Sequence, residues 1–176
     1  MSLPAPDKDL IAAAVNSVLR AMLPECAVGR AFGLGDARRM AEWGEEKARA
    51  LGVPVVLAIT DAAGGLMLMH RMDGSLPASV DIAINKAFSA AAFRMPTHEL
   101  GALAQPGQAL YGVQTTNQGR VVLFGGGYPC CHEGKVLGAI GVSGGTVDQD
   151  MQIAVHALHK FFEETGHCLA GGKEYE

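Results

Sequence analysis

Residues 125–150, GGGYPCCHEGKVLGAIGVSGGTVDQD, constrain this chain more than any other stretch. Glycine is placed where the backbone turns with positive φ or where a neighbour comes too close for a Cβ. Gly125-Gly126-Gly127 enters a strand pair, Gly138 and Gly141 leave gaps along one strand, and Ser143-Gly144-Gly145-Thr146 delivers the chain into a helix. That helix carries Asp148 and Asp150 in its first turn, and free amides at a helix start favour anions. Two readings stay open: a hairpin with a tight, acid-capped strand-to-helix turn, or a ligand site.

Apolar periodicity organises the rest. Leu10, Ile11, Ala14, Val15, Val18, Leu19 and Met22 recur at helical spacing until Pro24 stops them. A second helix is predicted from about Gly35 to Leu51, with Met40, Trp43, Ala48 and Leu51 inward and Gly52 as its C-terminal cap. Val53 to Asp61 and Leu66 to Met72 read as strands joined by Ala62-Ala63-Gly64-Gly65. Ala78 to Phe93 is helical, and Thr97 is the expected N-cap of a short helix reaching about Ala104. Gln105 to Gly119 reads as loop. Val121 to Phe124 and Lys135 to Ser143 are the second strand pair, and the last helix spans about Asp148 to Glu164 with Ile153, Ala154, Ala157, Leu158, Phe161 and Phe162 buried.

The order αα ββ αα ββ α makes each strand pair a hairpin. It therefore predicts an α+β fold of one domain, a layered α/β/α arrangement on a largely antiparallel sheet of about four to five strands. The domain is expected over residues 10–165, between tails at 1–9 and 166–176. A formal charge of −4 with scattered Lys and Arg gives no footprint for nucleic acid or an anionic membrane. No apolar run reaches the roughly 20 residues that span a bilayer, and the N-terminus lacks the pattern of a secretory signal. Cys26, Cys130, Cys131 and Cys168 show no CxxC spacing, so reduced thiols in a cytoplasmic compartment are expected. With 49% hydrophobic and 18% charged residues, more apolar surface is left than one monomer hides, which predicts a homo-oligomer: a dimer, tetramer or octamer. Dinucleotide and P-loop fingerprints are absent, and Gly141-Val142-Ser143-Gly144-Gly145 misses the spacing of a nucleophile elbow.

Three stretches, VPVVLAITDAAGGLMLMHRMDGS, DIAINKAFSAAAFRMPTHEL and GGGYPCCHEGKVLGAIGVSGGTVDQD, resemble the signature blocks of the GlcG/HbpS-like haem-binding family over roughly residues 35–165. The resemblance implies an α/β/α domain on an antiparallel sheet, assembled into dimers or larger rings, with haem as ligand. It also implies family motif positions at Asp61, Arg71, Asp73, Lys86, Gly126, Gly127, Pro129, Gly134, Gly138, Gly141, Ser143, Gly144 and Asp150. The corrinoid adenosyltransferase domain that precedes such a module in propanediol-utilisation proteins is absent from this sequence, so that activity does not carry over.

The chemistry of these positions is legible by itself. Asp61 and Arg71 lie at strand ends of the first hairpin, where a carboxylate and a guanidinium are expected to pair. Lys86 interrupts an alanine face, so it must reach solvent or meet a carboxylate, with Asp73 and Asp81 the expected partners in a buried pair. Haem needs an axial ligand, and His98 and His132 are the iron candidates because both adjoin helix-start or glycine-rich backbone. Met67, Met69, Met72 and Met95 could pad a flat ring or simply pack.

The expectation is thus an oligomeric haem or tetrapyrrole binder whose pocket is lined by Gly125, Gly126, Gly127, Ser143 and Gly144 together with Asp61, Arg71, Asp73 and Lys86. The alternative is a small carboxylate or aldehyde metabolite, its charge fixed by Lys86 or Arg71 and its carbonyl polarised by the Gly125–Gly127 amides. An accessory subunit of a glycolate or diol utilisation assembly is the third reading.

Overall fold

The computed structural model describes residues 32–165, so the expected helix at residues 10–23, Cys26, Cys168 and both tails lie outside the described residues. Helix α1, Leu34–Leu51, begins where the Asp36 carboxylate accepts the Gly33 N–H at 2.9 Å, and it ends at Gly52 with φ of 68°. Its buried stripe of Ala37, Met40, Ala41, Gly44 and Ala48 follows the 3.6-residue period. Strands β1, Val56–Asp61, and β2, Leu66–Arg71, form the first hairpin. Helix α2, Ser79–Phe93, and the short α3, Thr97–Leu103, follow, and two 3₁₀ turns at Val113–Thr115 and Asn117–Gly119 punctuate the long loop. Strands β3, Gly127–His132, and β4, Lys135–Ser143, form the second hairpin, and α4, Val147–Thr165, closes the described chain.

All strand pairs are antiparallel and the sheet order is β2-β1-β4-β3. The α+β, layered α/β/α architecture expected from the element order is therefore present, with four strands. Strand alternation sends Leu57, Ile59, Ile140, Val142, Tyr128 and Cys130 to one face. There they meet Met40 of α1 and Ile153, Leu158 and Phe161 of α4. The opposite face offers Val56, Ala58 and Ala139 to the alanines of α2.

One strand differs from expectation. Residues Val121–Phe124 form no strand: Val122 N–H donates to Ser89 Oγ of α2 at 2.9 Å instead of to a strand neighbour. The strand beside β4 is the next segment, which contains Pro129. Proline has no N–H to give a ladder and is tolerated because β3 is an edge. Glu133 and Gly134, with φ of 49° and 76°, make the two-residue turn that the right-handed twist of a hairpin favours.

Candidate functional site

The polar centre of the glycine-rich segment is built around a buried cation. Lys86 of α2 is fully buried; its Nζ donates to Asp150 Oδ2 at 2.7 Å and to the Val142 carbonyl at 2.8 Å. The ammonium also lies 4.7 Å from the centroid of the Phe124 ring, close enough for a cation–π contact. Burial pushes the Lys86 pKa down and the Asp150 pKa up, and each partner's charge restrains the other's shift. The expected buried pair is present with a different partner. Asp81 is spent on an exposed hydrogen bond from Asn85, and Asp73 is exposed beyond the far end of β2, whereas the turn of α2 that carries Lys86 lies over β3 and β4.

The same carboxylate bears on the turn that enters α4. Asp150 Oδ1 accepts the Gly145 N–H at 3.0 Å, and Gln149 Oε1 accepts the Thr146 N–H at 2.9 Å. Two amides of the turn that enters α4 are thus taken by the helix's own side chains. Gly126 has φ of 111°, and a Cβ there would stand 2.7 Å from Lys86 Nζ, so this glycine makes room for the buried ammonium.

Gly127 and Gly141 are partners across β3 and β4. A Cβ on Gly127 would stand 2.6 Å from the Lys86 carbonyl, and one on Gly141 would overlap the Ala83 carbonyl and stand 2.5 Å from the Ala87 nitrogen. The glycine pair is the floor on which α2 rests. Thr97 serves the same floor: its hydroxyl accepts the Gly127 N–H at 3.0 Å and makes no cap bond, Pro96 being the N-cap residue of α3. The expected Thr97 cap is corrected on that ground, since the side chain of a first helical residue is free to bond elsewhere.

Asp61 and Arg71 do not pair. The register sets Arg71 opposite Val56, five residues along β1 from Asp61, a separation of roughly 17 Å at the usual strand rise. Asp61 instead accepts the N–H groups of Ala63 and Gly65 at 2.9 and 2.8 Å, stabilising the β1–β2 turn. Pairing strand ends by sequence order overlooked that antiparallel partners of the last residue of β1 come first in β2. Arg71 and Asp73 are exposed at the opposite end of the hairpin, Arg71 on the row that contains Val56 and Ser143 and Asp73 beyond it.

The histidine candidates separate along β3. His98, the second residue of α3, is partly exposed and its Nδ1 is buried with no hydrogen-bond partner; its ring lies 5.7 Å from that of Tyr128. His132 stands at the other end of β3, about 13 Å along the strand from Tyr128, and pairs in register with Lys135. The two imidazoles of one chain therefore do not face one iron. His70 is engaged by Glu45 of α1 at 2.8 Å. Cys130 is buried and Cys131 partly buried; burial pushes both thiols up, so neither is a ready thiolate. Met67 and Met72 pack against the core, while Met69 is 37% exposed. Among the described residues no group of three or more His, Cys, Asp or Glu gathers as a metal centre.

The sequence left one feature unseen. Asp148, Met151, Gln152 and Val155 of α4 and Tyr128 of β3 line a cleft of about 320 Å³. The spacing i, i+3, i+4, i+7 was available as a signal, but half of that stripe is polar and it does not stand out as an apolar face.

Comparison with known proteins now bears on the site. A family model described as "Haem degrading protein HbpS-like" matches residues 32–159. An uncharacterised 15.0 kDa protein from the dhaT-dhaS intergenic region of Citrobacter freundii is 50% identical over 130 residues, 74% of this chain and 92% of that protein. The crystal structure of Klebsiella pneumoniae protein ORFY matches with a TM-score of 0.73 and 43% identity, covering 80% of this chain and 97% of the other. The crystal structure of a PduOC:heme complex matches with a TM-score of 0.71 and 42% identity, covering 74% of this chain and 94% of the other.

Proposed function

We propose that this chain, which belongs to the HbpS-like family, binds haem or a related tetrapyrrole as a homo-oligomer, with His98 as the first axial candidate and His132 as the second. The observation that carries this reading is the 42% identity, at a TM-score of 0.71, to a protein solved as a haem complex. The residues present fit such a group. His98 is partly exposed while its Nδ1 is buried, so Nε2 is the nitrogen left to reach a bound iron, whereas the His70 ring is held by Glu45. Bound haem would supply a redox-active iron held at an axial nitrogen. Tyr128, packed against the His98 ring, restricts the directions that ring can take.

Assembly belongs to the same reading. Leu66 and Met69 on edge strand β2 are 50% and 37% exposed, and Leu76 beyond it is 62% exposed. A second copy covering them removes apolar surface from water and shields an open strand edge. No helix among the described residues is long and apolar enough to cross a membrane. For the small-carboxylate reading, Lys86 is tied to Asp150 and the Gly127 amide to Thr97, which leaves the exposed Arg71 as its cation.

Haem titration followed by absorbance, with light scattering on the same sample, tests the proposal. Uptake with a Soret band, a mass above one chain, and loss or shift of the band in His98→Ala but not in His132→Ala are expected. An unchanged band in His98→Ala removes that ligand, and no uptake by the parent protein overturns the reading.

A further inference from the structure

The cleft between α4 and Tyr128 has a lining whose chemistry differs from what haem requires. It lies at an open end of the sheet, since no strand follows β3 in the order β2-β1-β4-β3. Its depth is set by backbone: any side chain on Gly125 would overlap Met151 Sδ and stand 3.0 Å from Val147 Cγ1, so the chain is pinned against α4 beside the cleft. Helical spacing divides the lining into two columns. Met151 and Val155, four residues apart, make an apolar wall that continues onto Tyr128; Asp148 and Gln152, also four apart, make a column with one carboxylate and one amide.

No Lys, Arg or His lines the cleft, so it holds one formal negative charge and no positive one. Haem carries two propionates and is mismatched to that charge, which separates this site from the haem proposal. We propose that the cleft takes a small aliphatic ammonium. Its charged head is held by the Asp148 carboxylate and the Gln152 carbonyl oxygen, and its hydrocarbon stem lies on Met151 and Val155. A volume of about 320 Å³ is at the small end of ligand sites, which matches a stem of a few carbons. The partial positive charge at the α4 N-terminus opposes the cation, so affinity on the order of millimolar is expected.

Three isosteric probes test the assignment on the full chain: n-butylammonium, 1-butanol and butyrate, followed by the ¹³C-methyl signal of Met151 assigned with Met151→Leu. Saturable movement of that signal is expected with n-butylammonium, about fivefold tighter than with butyrate, the scale of one exposed charge pair. Asp148→Asn should bring the three probes within about twofold of one another. Equal binding of butyrate and n-butylammonium to the parent chain overturns the proposal, as does an unsaturating drift of all methionine signals. A Met151 signal that follows protein concentration and ignores the probes also overturns it, and assigns the cleft to contact with a second copy. Haem uptake is read separately by absorbance, so failure at this cleft leaves the haem reading intact.

Discussion

The two sides of the glycine-rich segment contrast in how their polar groups are used. Toward α2, Lys86, Asp150, the Gly127 amide and the Thr97 hydroxyl are bound to one another in the interior. Toward the β3 edge, the His98 Nδ1 has no partner and α4 leaves an acid-bearing cleft beside Tyr128. The difference teaches that clustered glycines mark close approach of backbone, and that what approaches can be the protein itself. Here a helix and an ammonium fill the space that the sequence reserves for a ligand. The side chains proposed for recognition sit one strand residue away, on α3 and α4.

The contrast breaks most visibly at Lys86. Replacing it by methionine leaves Asp150 buried without its cation, and removing one member of a buried pair costs about 3 to 5 kcal/mol. The pH dependence has a definite sign. Burial already holds the Asp150 carboxyl above its ordinary value, and loss of Lys86 removes the charge and hydrogen bond that restrain that rise. The folded variant then holds a proton that the unfolded chain releases, so its stability falls as pH rises through the window between Asp150's unfolded and folded pKa values. Chemical denaturation of Lys86→Met and parent at about pH 5 and about pH 7.5 should show the larger deficit at the higher pH. A deficit that shrinks with rising pH would show that Asp150 does not depend on Lys86.

Gly141 gives the next effect. A methyl group there meets backbone of α2, which cannot rotate away, so Gly141→Ala should lower stability by about 1 to 3 kcal/mol through overpacking. Thermal unfolding measures it. If the variant unfolds with the parent, α2 does not rest on the glycine pair, and Gly127 returns to the pool of ligand glycines.

How much of this was legible follows from the range of each interaction. The buried side of α4 was readable because Ile153, Ala154, Ala157, Leu158, Phe161 and Phe162 repeat within one helix. A charge problem at Lys86 was readable too, since a cation among Ala83, Ala87 and Ala90 must be neutralised. Its solution was not, because Asp150 stands 64 residues away and is brought in only by the packing of α2 on β4. β3 was displaced in the sequence reading because proline and glycine lower strand propensity, while Val121–Phe124 has a strand's composition and gives its N–H at Val122 to Ser89 instead. The His98 environment depends on Tyr128 reaching it from another element, which no local pattern records.

The smallest effect sharpens the contrast from the open side. Asp148 is exposed, and it lies in the first turn of α4, where a carboxylate is worth about 0.3 to 1 kcal/mol against the helix dipole. Asp148→Asn should therefore cost no more than about 1 kcal/mol, well below Lys86→Met, although both alter a charge near the same helix start. Urea denaturation of the two variants under one condition decides the matter. Equal costs would mean that the cleft acid is as deeply built into the fold as Asp150, and the division between a self-satisfied interior and a free rim would fail. A small cost leaves Asp148 available for an incoming cation and makes the variant a clean probe of the cleft.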